Sequence, residues 1–267
     1  MTEKYDLFCG AFAGIVSRTF TAPLELRKLQ LQNHFIPNTT IRSVIQKEGI
    51  PHLWKGNFTN CIRIGPQSAI NFTIFNKTKQ LGIFDSPSVN NYFSGTAGAF
   101  VATIMTYPLD NARTRLALQT NKGHYSSLTD IFRKVPIKNL YKGLGMTLTG
   151  FLPYNALSFT FYGHLRDNKY FENVPFKYLL YGGIAGVSAV SITYPSDLVR
   201  RRLQLQGFDK SVPQYNGIFH CFKKIVRSEG ITGLYRGLFA CYIKLFPTMA
   251  INFATLEYLK NINKQQF

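Results

Sequence analysis

Three stretches of this 267-residue chain share one pattern: Pro23-Leu-Glu25-Leu-Arg-Lys28, Pro108-Leu-Asp110-Asn-Ala-Arg113 and Pro195-Ser-Asp197-Leu-Val-Arg200. Each reads Pro-x-acid-x-x-base, and prolines at 23, 108 and 195 set a period of 85 and then 87 residues. Such a period is too long for a solenoid and too regular for chance, so the chain is three copies of one unit. The copies span 1–85, 86–172 and 173–267 and read as one structural domain with pseudo-threefold symmetry.

Charge narrows what such a body meets. Lys and Arg number 31 against 13 Asp and Glu, a net charge of +18, which implies a polyanionic partner. With 23 Phe and 15 Tyr, the aromatic content favours lipid contact over a soluble basic nucleic-acid binder. Cys9, Cys61, Cys221 and Cys241 have neither a disulfide nor a metal-ligand spacing, and read as small buried apolar side chains. The five histidines are scattered, no catalytic constellation stands out, and no metal or cofactor is implied. Nothing at the N-terminus reads as a cleavable signal or transit peptide.

A mean hydropathy of −0.05 would ordinarily argue against a multi-pass membrane protein. A helix that lines a polar cavity, however, needs apolar residues only on its lipid face. Mostly apolar stretches at 7–22, 92–107 and 178–194 precede the three prolines. They carry small residues at Gly10/Ala13-Gly14, Gly95/Ala99 and Gly182/Gly186 that would allow close helix approach. A second element repeats too: Trp54-Lys-Gly56, Tyr141-Lys-Gly143 and Tyr235-Arg-Gly237, with proline following ten residues after each glycine, at Pro66, Pro153 and Pro247. The expectation is an all-α membrane protein of six transmembrane helices, two per repeat, joined by short amphipathic helices at about 38–48, 125–135 and 214–228.

Within each motif the acid and base share nearly one helical face, so their partners lie on the neighbouring repeat. The ring closes as Glu25 with Arg113, Asp110 with Arg200 and Asp197 with Lys28. On these motifs the whole chain, from about Tyr5 to Lys260, resembles the mitochondrial carrier family. The resemblance implies a multi-pass protein of the mitochondrial inner membrane, a monomer whose cavity opens alternately to either side. It makes the ring above a matrix gate. It also matches Gln32 and Gln204 to the family's gate braces, where Ala117 does not fit, and places cardiolipin and other anionic lipids at helix starts beside Gly56, Gly143 and Gly237. Glu48-Gly49 and Glu229-Gly230 fit the acid-Gly part of the pattern, which the second repeat lacks. The cytoplasmic gate would use Lys79, Arg166, Glu257 and Lys260, but Asn76 and Gly163 stand where two of its acids belong. Uneven gates imply an empty carrier that rests open to the cytoplasm.

Three residues before the even-helix prolines stand Arg63, Gly150 and Lys244, matching the family's contact points for substrate. Two cations and a glycine suit a phosphate-bearing anion with a flat group against open surface at Gly150 and Phe151, with Tyr154 beside them. Residues 17–25, which add Arg18, and 56–63 resemble ATP-Mg/phosphate, coenzyme A and ADP/ATP carriers. Arg200-Arg-Arg202 lacks the Met-Met-Met of the ADP/ATP carrier proper, and no calcium-binding domain precedes the repeats. Exchange of nucleotides or nucleotide-like phosphates leads. Coenzyme A, thiamine pyrophosphate or adenylyl sulfate stay open as cargo, as do uncoupling and, from another class, nucleic-acid binding. No enzyme activity is expected.

Overall fold

The computed structural model describes residues 2–33, 40–119, 124–168, 177–208 and 212–265. Among these residues every regular element is helical. Six helices are long: α1 (Thr2–Gln32), α3 (Asn57–Gln80), α4 (Pro87–Leu118), α7 (Leu144–Asp167), α8 (Lys177–Gln204) and α10 (Leu238–Gln265). Four are short: α2 (Ile41–Glu48), α5 (Leu128–Lys134), α6 (Ile137–Leu140) and α9 (Ile218–Glu229). Single 3-10 turns, Ile50–Trp54 and Ile231–Tyr235, lead into α3 and α10. Even the 24-residue α3 and α7 reach about 36 Å, more than the roughly 30 Å of a bilayer's hydrocarbon core. Among the described residues only Ile231–Leu259 is also apolar enough throughout to cross a membrane by composition alone.

Each long helix carries one internal proline: Pro23, Pro66, Pro108, Pro153, Pro195 and Pro247. Proline lacks the N–H that would bond the carbonyl four residues back. In α1 that orphaned carbonyl is Thr19 O, and the Trp54 indole N–H donates to it at 2.8 Å. Two residues before each motif proline, Thr21, Thr106 and Thr193 donate at 2.8 Å to the carbonyls of Ser17, Ala102 and Ala189. Side chains thus bond the backbone just before each break in the ladder.

The chain divides into two compact units, with boundaries inside α1 after Leu26 and inside α10 before Pro247. The first comprises Met1–Leu26, Thr39–Tyr141 and Pro247–Phe267, and the second Arg27–Asn38 and Lys142–Phe246. In the first, α3 and α4 pack at Gly98, where a Cβ would lie 2.5 Å from Asn71 Oδ1 and 2.7 Å from its carbonyl. Helix approach was expected instead at Gly10, Gly95, Gly182 and Gly186, but a Cβ on any of them would meet nothing within 4 Å among the described residues. In the first of these clusters Ala13 is wholly buried and Gly14 has Ile64 at 3.6 Å.

In the second unit, α9 is amphipathic at helical spacing. Cys221 and Ile225 are buried with Leu198, Val199 and Leu234, while Phe219 is 90% exposed. Each fully buried aliphatic of this kind contributes about 1.5–3 kcal/mol. Burial pushes the Cys221 thiol up to about 12, so it stays protonated and inert at neutral pH. Cys9, Cys221 and Cys241 are buried, whereas Cys61 is half-buried.

Polar clasps fasten the short helices, and the repeats differ here. Arg202, 1% exposed at the end of α8, forms a two-pronged bond to the Glu229 carboxylate at the end of α9. Glu229 also takes Arg236 at 3.3 Å. At the register of Arg202 the first repeat has Gln30, and there Glu48 pairs with His52 at 2.5 Å. The second repeat has Arg115 but Val135 in place of the acid, and Asn111 Oδ1 accepts from Arg115 Nε at 2.8 Å.

Losing one partner of a buried pair strands a charge, at about 3–5 kcal/mol. Glu229→Ala should therefore cost several kcal/mol, and Glu48→Ala about 1 kcal/mol or less, because its partner is a histidine that burial disfavours charging. Thermal unfolding of the two variants in detergent checks the order.

Candidate gate and substrate-binding residues

Membrane-spanning helices tolerate carboxylates only where cations hold them. In the first unit, Glu25 Oε1 lies 2.9 Å from Arg113 Nη2, with both side chains about nine-tenths buried at 10% and 12% exposure. Asp110, at 2% side-chain exposure, is held by Arg63 Nη1 at 3.1 Å. Arg63 stands on α3 facing the motif helix α4, so a cation expected to read substrate also neutralises a motif acid. Arg18 Nη1 donates to Asn60 Oδ1 at 3.3 Å, which sets this third cation one turn before Arg63.

In the second unit, Lys28 Nζ lies 2.7 Å from Asp197 Oδ2, and Gln32 Nε2 donates to the same oxygen at 3.1 Å. Arg201 approaches the other oxygen at 3.9 Å. Gln204, wholly buried, accepts from Arg201 Nη1 at 3.0 Å. Beside the Lys28–Asp197 pair opens a cavity of about 250 Å³, lined by Phe151, Tyr154, Met146, Arg200 and Cys241 among others. Gly150 lines it as well, but the space left by its missing side chain is taken. A Cβ there would lie 2.6 Å from Ser196 Oγ and 3.2 Å from Ser196 Cβ, so the open surface expected at Gly150 is filled by the second residue of the third motif. Phe151 and Tyr154 supply the aromatic wall instead. Lys244, half-buried, stands one turn beyond Cys241 on α10.

At the opposite helix ends the expected gate residues make local contacts. Lys79 Nζ lies 5.7 Å over the Phe75 ring, and Arg166, 58% exposed, pairs at 3.0 Å with its neighbour Asp167. Glu257 is exposed, and Lys260 lies outside the residues whose side chains are described.

Gly56, Gly143 and Gly237 stand just before α3, α7 and α10 with φ of +83°, +89° and +86°, where a side chain is strained. Space is also short. A Cβ on Gly56 would meet Arg113 O at 2.9 Å, and one on Gly237 would meet the Tyr194 hydroxyl at 2.9 Å. Gly56 and Gly237 therefore let the start of an even helix press against a motif helix, and a helix start of this kind presents N–H groups with no intrahelical partner.

Reading the sequence missed Tyr194, which adjoins the third motif, and the role of Ser196 within it. Tyr194 left a signal: tyrosine precedes the motif proline in the second and third repeats, as Tyr107 and Tyr194, where the first has Ala22. Tyr107 stacks on Tyr141 and Tyr194 on Tyr235, with ring centroids 6.2 and 6.4 Å apart.

Comparison with known proteins places this geometry. The model of the mitochondrial carrier protein family matches the chain three times, over residues 4–86, 84–173 and 171–266. A mitochondrial substrate carrier family protein A of Dictyostelium discoideum is 35% identical, covering 94% of this chain and 83% of its own length. A mitochondrial thiamine pyrophosphate carrier 1 of Neosartorya fischeri is 35% identical over 96% of this chain and 92% of its own. A mitochondrial thiamine diphosphate carrier 2 of Zea mays is 30% identical over 96% and 93%. The repeated proline motifs and six proline-bearing helices are thus those of a known class of transporter, and the chain belongs to the mitochondrial carrier family, multi-pass transporters of the mitochondrial inner membrane and not enzymes.

Proposed function

We propose that this carrier exchanges an organic pyrophosphate bearing a heteroaromatic ring, with thiamine pyrophosphate the first candidate and nucleotides the second. The observation that carries the reading is the likeness, over nearly the whole chain, to carriers named for thiamine pyrophosphate. The chemistry of the residues supports it. Arg18, Arg63 and Lys244 suit the pyrophosphate through charge-assisted hydrogen bonds. Phe151 and Tyr154 suit the ring, and a thiazolium, being cationic, gains further from aromatic faces. The same cations would serve a nucleoside diphosphate, whose neutral base lacks that gain. The three repeats work as one monomeric body, with anionic lipid phosphates at the helix starts after Gly56, Gly143 and Gly237.

The motif pairs form the matrix gate in this reading. Glu25–Arg113 and Lys28–Asp197 are made, whereas the Lys79 ammonium lies over Phe75 and the Arg166 guanidinium pairs with Asp167, each within its own helix. That contrast supports a resting state open to the cytoplasm.

Two experiments test the reading. Purified carrier in liposomes preloaded with thiamine pyrophosphate, nucleoside diphosphates or coenzyme A should take up labelled thiamine pyrophosphate fastest; uptake of nucleotides alone would select the second candidate. Lys244→Ala should slow uptake more than tenfold, since one charge-assisted contact is worth about 1.5–3 kcal/mol. Arg63→Ala should do the same and also lower thermal stability, because it removes the 3.1 Å ion pair to the buried Asp110.

Restoring the missing acids, Asn76→Asp with Gly163→Asp, should shift the resting state toward the matrix. Gly163 has open space for a side chain. Two new pairs of about 1–2 kcal/mol each would move the equilibrium on the order of a hundredfold. Cysteine labelling from each side of oriented vesicles reads the shift.

A further inference from the structure

Tyr194 is wholly enclosed at 1% exposure and lies beside the third gate pair. Its ring face lies 5.8 Å from Lys28 Nζ, within cation–π range. Its hydroxyl accepts from Gln32 Nε2 at 3.1 Å and donates to the Arg236 carbonyl at 2.9 Å. Its ring stacks on Tyr235 with planes 13° apart, and its oxygen fills the place a Gly237 side chain would need.

Direction follows from proton counting. Only an N–H can face the Asp197 carboxylate, so the Gln32 amide must turn its nitrogen there. The other N–H of the same nitrogen then meets the Tyr194 oxygen. That leaves the one tyrosine proton for the Arg236 carbonyl, where it is found. The chain of donors therefore runs from Gln32 to Asp197 on one side, and from Gln32 through Tyr194 to Arg236 on the other. No other protonation pattern satisfies all three contacts.

We infer that Tyr194 is a positioning residue that ties the Lys28–Asp197 pair to the backbone leading into α10, so that the pair parts only when this entry to α10 lets go. Asp197 cannot separate from Lys28 and keep Gln32 without disturbing the tyrosine, and the tyrosine is bonded to the backbone one residue before Gly237. Lys244 stands seven residues beyond that glycine on the same helix. Motion at the gate and motion of a cation proposed to hold substrate are therefore mechanically joined. The first repeat has no such tyrosine, since Ala22 occupies the position and Trp54 bonds the α1 backbone directly. The tie is therefore not a general consequence of the proline motif.

The inference rests on the matrix-gate reading of the Lys28–Asp197 pair, and the test separates the two. Cys241 lines the cavity beside the pair and serves as the reporter, with Cys9, Cys61 and Cys221 replaced by alanine. Full-length carrier in vesicles of known orientation is labelled from each side with a membrane-impermeant maleimide. Asp197→Asn should speed labelling of Cys241 from the matrix side. Tyr194→Phe keeps the stacked ring and removes two hydrogen bonds, and should speed matrix-side labelling about five- to tenfold while cytoplasmic-side labelling does not rise. In the Asp197→Asn background the further effect of Tyr194→Phe should fall to less than about twofold, because coupled residues are not additive.

If Asp197→Asn leaves matrix-side labelling unchanged, the gate reading and the tie both fail. If it acts while Tyr194→Phe does not, or the two effects multiply independently, the tie alone is overturned. Equal acceleration from both sides would mean general loosening and would overturn it too. Should Tyr194→Phe not fold, Gln32→Leu cuts the same chain at its other end and must give the same one-sided change.

Discussion

A charge removed from water must have a counter-charge, and this fold is arranged around that demand. Asp110 and Glu25 are about as deeply buried as carboxylates become in ordinary proteins. Each carries an arginine at hydrogen-bonding distance, and each arginine comes from a different helix. A pair of this kind adds little net stability but is costly to break from one side. It therefore specifies which helices lie together more than it strengthens their contact. Arg63 shows the functional consequence. An anion that draws on this guanidinium shares it with Asp110, so binding and the state of a motif acid are electrostatically linked.

The proline–acid–base register was legible because three copies repeat it, and the pairs Glu25–Arg113 and Lys28–Asp197 follow from one helical face and cyclic order. Local pattern could not reveal which α3 side chain reaches Asp110, since Arg63 is read from an unrelated register set by Pro66. The small residues were legible only in part. Spacing finds them but not the direction they face: Ala13 is buried and Gly14 meets Ile64, whereas among the described residues Gly10, Gly95 and Gly182 meet nothing and Gly98 takes the close contact. Gly150 was legible as a break in symmetry, but not as the seat of Ser196, whose significance appears only when α7 and α8 are brought together.

Pseudo-symmetry in the sequence conceals different solutions to one structural problem. Each even helix must begin against a motif helix that proline has weakened. The first repeat uses an indole N–H on the orphaned carbonyl, whereas the second and third stack a tyrosine on a tyrosine. The acid-to-arginine clasp is likewise complete only in the third, where Arg202 and Glu229 both survive. In the others Asn111 or His52 substitutes for the missing partner. A device can thus keep its threefold backbone while its bonding strength is distributed unevenly.

The same economy explains why hydropathy finds so few of the spans. A helix that faced lipid all round would be uniformly apolar, and among the described residues only Ile231–Leu259 holds a stretch apolar enough to cross a membrane by composition. Helices α1, α3, α4 and α8 instead carry Arg18, Lys28, Asn60, Arg63, Asp110 and Asp197 within their length, paired at about 3 Å as Arg18–Asn60, Arg63–Asp110 and Lys28–Asp197. Their polar groups are hidden by mutual pairing, so a bilayer meets far less polarity than a residue count suggests. Low hydropathy in this chain is accordingly the mark of a polar interior, and a transporter of anions requires one.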